Sequence, residues 1–218
     1  MIFRLMASLL LVAALSLSAS AQSIKVETIG AFDKSAAESV RASLEAKGYR
    51  VSDGGSVICE IWLRNNVPVE SKRDVSGGIY TELGDSTVVG VVSFPAASKD
   101  YRGQGIAAGV YTLRYAMHPT DGNHMGISPY RDFLLLVPAA SDPDINAKFK
   151  FEDLAKISGK AAGTNHPTPF SLVSTEGVKT FPSVSTNDHG HVVLAVKLKT
   201  QSGAELPIAF IVKGVAEQ

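Results

Sequence analysis

Residues 109–139 read GVYTLRYAMHPTDGNHMGISPYRDFLLLVPA. In the first ten, Tyr111, Leu113, Tyr115 and Met117 fall on one side of an extended chain, while Thr112, Arg114 and His118 fall on the other. Such alternation, with aromatic and β-branched residues, predicts a strand with one face on a core. The last nine, RDFLLLVPA, are apolar at both parities and predict a central strand covered on both faces. Between them runs an eleven-residue connection, Pro119 to Pro129. Hairpin loops usually take about 2–5 residues. The stretch therefore predicts both a sheet and a connection longer than its strands require.

Working outward, GIYTEL (78–83), STVVGVVSF (86–94), HVVLAVKLKT (191–200) and ELPIAFIVKG (205–214) complete a set of six strand candidates. The last two are joined by Gln201-Ser202-Gly203-Ala204 and predict an antiparallel hairpin. Towards the N-terminus, IKVETIGAF (24–32) reads as a strand. Ser35 and Glu38 form a capping box for a helix ending near Lys47, with Gly48 as its stop. YRV, the turn Asp53-Gly54-Gly55 and SVICEIWLR then predict a hairpin. FEDLAKISG (151–159) predicts a second short helix, with Phe151, Leu154 and Ile157 on one side. No internal repeat or low-complexity tract interrupts the chain. The pattern predicts a mainly β (α+β) protein: an antiparallel β-sandwich with two peripheral helices, in one domain spanning 22–218. Residues 22–70 could form an α/β N-terminal subdomain.

The first 21 residues have the form of a secretory signal peptide. Arg4 precedes an apolar run of 13 residues, Leu5 to Leu17, and Ala19-Ser20-Ala21 supplies a small-residue cleavage site. That run is shorter than the roughly 20 residues a transmembrane helix needs. A secreted or periplasmic location is expected, with no membrane span after signal removal. Cys59 is the only cysteine, so no internal disulfide forms, and its strand parity with Val57, Ile61 and Leu63 predicts a buried thiol. Arg4 is the one charged residue in the signal, so the mature chain carries about one net negative charge. No basic run or patch motif is present, which argues against nucleic acid as a partner.

Catalytic signatures are absent: there is no nucleophile elbow, H-E-x-x-H, C-x-x-C, Walker loop or dinucleotide fingerprint. Arg102-Gly103-Gln104-Gly105 and Asp142-Pro143-Asp144 read as turns, and Glu152-Asp153 as the first turn of a helix. The histidines offer more. His118, Asp121 and His124 place N, O and N donors within seven residues, a set suited to a divalent transition metal. The competing reading is a turn, with Asp121-Gly122 as turn former. His189 and His191 share a strand face, where they could share a metal or simply be polar residues opening a hairpin. Arg131 begins an apolar strand, and either pairs internally with an acid or points into a pocket to fork a carboxylate or hydroxyl. Internal pairing is favoured, because unpaired charge beside a core is costly.

The stretches GIAAGVYTLRYAMHPTDGNHMGISPYRDFLLLVPAASD and SGKAAGTNHPTPFSL, within about 105–172, resemble uncharacterised exported bacterial β-sandwich proteins, including the family called DUF2911. The resemblance implies an exported β-sandwich and brings no catalytic residues. The leading expectation is a non-enzymatic protein that binds a small ligand or an envelope partner through the 118–132 loop, with His124, Tyr130 and Arg131 at the site. The first alternative is a metal-dependent hydrolase using His118, Asp121 and His124, with His166 or the His189/His191 pair brought near by folding. The second is a structural component of the envelope.

Overall fold

The computed structural model describes residues 24–119 and 128–216. In chain order the elements are β1 (Lys25–Ile29), α1 (Glu38–Ala42), β2 (Gly48–Asp53), β3 (Ser56–Leu63), β4 (Val88–Phe94), β5 (Ser98–Lys99), β6 (Gly105–Ile106), β7 (Gly109–Met117), β8 (Asp132–Pro138), α2 (Phe151–Ser158), β9 (Pro169–Val173), β10 (Ser183–Thr186), β11 (Val192–Lys199) and β12 (Glu205–Lys213). The fold is mainly antiparallel β with two helices, as the sequence predicts. Ten strands join in one ladder, ordered β1-β2-β3-β4-β7-β8-β9-β12-β11-β10, and β5 and β6 form a separate small hairpin. The ladder curls, so that its end strands β1 and β10 come into contact. One apolar cluster fills the interior and draws on β2, β3, β4, β7, β8, β9, β11 and β12.

β8 lies at the middle of this order. Leu134 and Leu136 enter the main core, while Phe133, Leu135 and Val137 meet Leu154, Phe149, Phe151 and Ile157 on the outside. Helix α2 is therefore the cover that makes both parities of RDFLLLVPA apolar. Its acidic first turn (Glu152, Asp153) and basic last turn (Lys156) suit the helix dipole. On β7 the inward Tyr111, Leu113 and Tyr115 join the main core. The outward Arg114 is also buried, where its Nε and Nη2 donate to the two Asp142 oxygens at 2.7 Å each. Its remaining donors reach the carbonyls of Ser86, Asp144 and Ala147. Asp142, whose surroundings read as a simple turn, is thus the anchor of the segment that covers this face.

Two predicted elements form differently. GIYTEL does not form a strand: it makes one isolated antiparallel bridge, Leu83 to Val69, and side chains take several of its other backbone groups. The Ile79 and Tyr80 N–H groups donate to the Asp132 carboxylate, and Arg73 donates to the Thr81 and Leu83 carbonyls. The first helix covers only Glu38–Ala42, with Ala37 as an N-cap that makes no side-chain capping bond, so the Ser35 box does not form. The chain then turns extended: Glu45 N–H donates to the Leu63 carbonyl. Gly48 serves packing instead of ending a helix, since a Cβ there would lie 2.5 Å from the Trp62 indole nitrogen.

Cys59 is fully buried, and burial pushes its thiol pKa far up, with the charge of Glu60 adding to the effect. Thiolate is the reactive form. A disulfide reagent such as DTNB is therefore expected to leave the native protein unlabelled and to titrate one thiol per chain in denaturant. Rapid labelling of native protein would contradict the buried placement.

Candidate functional site

The long connection ends at Pro129 and Tyr130, and both line a cleft of about 390 Å³. The opposite walls come from Tyr101 in the β5–β6 turn, from Val173 at the end of β9 with Ser174, Glu176 and Val178 after it, and from the β10–β11 turn carrying His189 and His191. Its volume lies within the usual range for small-ligand sites, roughly 300–1,000 Å³. Tyr101, Tyr130, the apolar Val173 and Val178, and the polar Glu176 and His189 all line one space.

The β10–β11 turn is held by one side chain. Asn187 Oδ1 accepts the N–H groups of His189 and His191 at 3.1 and 2.9 Å, and Gly190 closes the turn at φ 75°. This is an Asx turn, in which a short side chain substitutes for a backbone acceptor. It fixes where both histidines stand, with their rings 5.8 Å apart. His191 is buried, and its ring meets Tyr101 edge-on at 5.4 Å. Its Nε2 lies 2.9 Å from the Val215 carbonyl, which can only accept, so Nε2 carries the proton. Nδ1 faces the Asn187 amide at 3.3 Å and accepts from it. Both ring nitrogens are thereby committed, and a metal shared with His189 would have to break one of these bonds. His191 is an anchor of the cleft wall. Gly214 accommodates it: its φ is 139°, and a Cβ there would sit 2.3 Å from the His191 ring.

The other candidates fall as follows. Asp121 and His124 lie outside the described residues. His118 is buried against Phe133 at 4.3 Å, and its N–H donates to the Arg131 carbonyl, extending the β7–β8 ladder by one rung. Arg131 turns inward, where its Nε donates to the His118 carbonyl at 2.9 Å. It is not among the residues lining the cleft; Tyr130 is. His166 is exposed on the loop before β9. Among the described residues, no three His, Cys, Asp or Glu side chains are grouped to hold one metal ion.

No family model, curated protein or solved structure matches the chain. The chemistry of the cleft must therefore be read from its own side chains. Sequence reasoning reached Tyr130 and the His189/His191 pair but missed Tyr101 and Glu176. Both sit in short connections whose place beside the β8 entrance follows only from strand order.

Proposed function

We propose that the protein is an exported, non-enzymatic binding protein whose Tyr101–Tyr130–His189 cleft takes a small, neutral, polyhydroxylated ligand such as a monosaccharide or disaccharide. The observation that carries this reading is the convergence of two tyrosines with Glu176 and His189 on one cleft at the exit of the overlong connection. Aromatic faces cover the apolar side of a sugar ring, while carboxylate, imidazole and amide groups answer its hydroxyls. The signal-like residues 1–21 support export. Long connections on a rigid sheet are also where binding commonly resides. A hydrolase that drew on the His189/His191 pair has less support, because His191 is committed on both nitrogens.

Calorimetric titration with glucose, galactose, N-acetylglucosamine and their disaccharides tests the reading. At least one sugar should bind saturably. Tyr130→Ala should weaken that sugar at least tenfold, and Glu176→Gln severalfold, with unchanged melting temperatures. A panel without any binder would refute the ligand class. Unaltered affinity in both variants would refute the location. Stoichiometric transition metal in the purified protein, lost on His118→Ala, would favour the hydrolase instead.

A further inference from the structure

A second and larger cleft, about 670 Å³, is bounded by three runs of consecutive residues. These are Ser56 to Ile58 at the start of β3, Ala96 to Lys99 leading into β5, and Lys213 to Val215 at the end of β12. Consecutive lining is informative, because neighbouring residues of an extended chain point to opposite faces. At Ser56–Ile58, which lie within β3, a cleft that meets several in a row is meeting the strand's edge, where backbone N–H and C=O groups are displayed.

The pairing explains why an edge is open. β3 pairs with β2 down to Ser56, but its ladder with β4 ends at Glu60 and Ser93. β4 itself stops at Phe94, and the chain then leaves through Pro95. Ser56–Ile58 therefore have a neighbour on one side only among the described residues. A bulge between Val51 and Ser52 on β2 leaves Ile58 as the extra residue opposite it, a device that bends and redirects a strand. Val57, Ile58, Ala96, Ala97 and Val215 make most of the uncharged lining apolar, beside Ser56 and Ser98, and Val215 is 44% accessible. Charge at the rim is positive on balance: Lys213 is paired with Asp53 at 2.7 Å, while Lys99 is exposed and has no ion-pair partner among the described residues.

We propose that this cleft binds an extended acidic peptide, which adds as a short strand along Ser56–Ile58. Its backbone takes the place that β4 vacates, one apolar side chain rests among Val57, Ala97 and Val215, and a carboxylate meets Lys99. Recognition through a sheet edge uses backbone bonds for affinity and alternate side chains for specificity. The site is separate from the tyrosine cleft and does not depend on its ligand.

The test uses a fluorescein-labelled peptide with alternating valine and glutamate, five residues long, followed by anisotropy with the full chain. Saturable binding is expected. Methylating alternate backbone nitrogens of the same peptide, so that the donors facing the protein are lost, should abolish it. Lys99→Glu should weaken binding about tenfold without moving the melting temperature. Equal binding of the methylated peptide would overturn strand addition, as would competition by dodecanoate together with indifference to methylation, which would mark a lipid-like site. Absence of saturable binding would overturn the proposal outright.

Discussion

Asp142→Ala is expected to destabilise the protein by about 3–5 kcal/mol, because it leaves a guanidinium buried without its counter-charge. Arg114 and Asp142 are both essentially inaccessible, and they meet through two parallel N–H···O bonds. The lost carboxylate also accepts the Thr112 hydroxyl. Phe149 lies over the guanidinium at 4.9 Å, so water has no easy route to replace what is removed. Urea denaturation monitored by the single tryptophan, Trp62, measures the loss. Exchanging both partners for apolar residues, as in Arg114→Met with Asp142→Leu, often restores stability at buried pairs. Here recovery should be incomplete, since the Ser86, Asp144 and Ala147 carbonyls each lose a donor. A loss below about 1 kcal/mol in Asp142→Ala would mean that the pair contributes far less than such geometry normally does.

Gly90→Ala should be strongly destabilising for the addition of a single methyl group. Gly90 lies inside β4, and a Cβ there would come 2.4 Å from the Trp62 carbonyl oxygen and 3.1 Å from the Leu63 Cα. Both obstacles are backbone of the neighbouring strand and cannot rotate aside. The β4–β7 register also shifts between Val88 and Gly90, so the local path is already specified by close approach. Overpacking of this type usually costs about 1–3 kcal/mol, and occasionally more. Gly30→Ala is the control, because nothing lies within 4 Å of its Cβ position. That substitution should stay within about 0.5 kcal/mol of the parent, as surface changes generally do. Equal melting temperatures for the two variants would contradict the contact.

Strands with a clean pattern were legible in the sequence. Gly109–Met117 matches the predicted strand residue for residue, and the double-sided apolarity of β8 announced a cover that α2 supplies. Failures arose where a side chain replaced a backbone partner. The carboxylate of Asp132 draws in the N–H groups of Ile79 and Tyr80, and no local pattern in GIYTEL carries that information. Asp142 was opaque for the same reason, since its partner Arg114 is distant in sequence. For the cleft, aromatic residues near turns were visible one by one. Their convergence depends on β9 pairing with β12 across the intervening hairpin.

That last pairing sets the order in which the molecule can be finished. β12 holds β9 on one edge and β11 on the other, yet it follows both of them in the chain. Until Glu205–Lys213 is in place, two strands present open edges, the condition under which β-rich chains stick to one another. A chain emerging N-terminus first cannot close its sheet early. It must stay apart from its copies until β12 has followed β9 and β11.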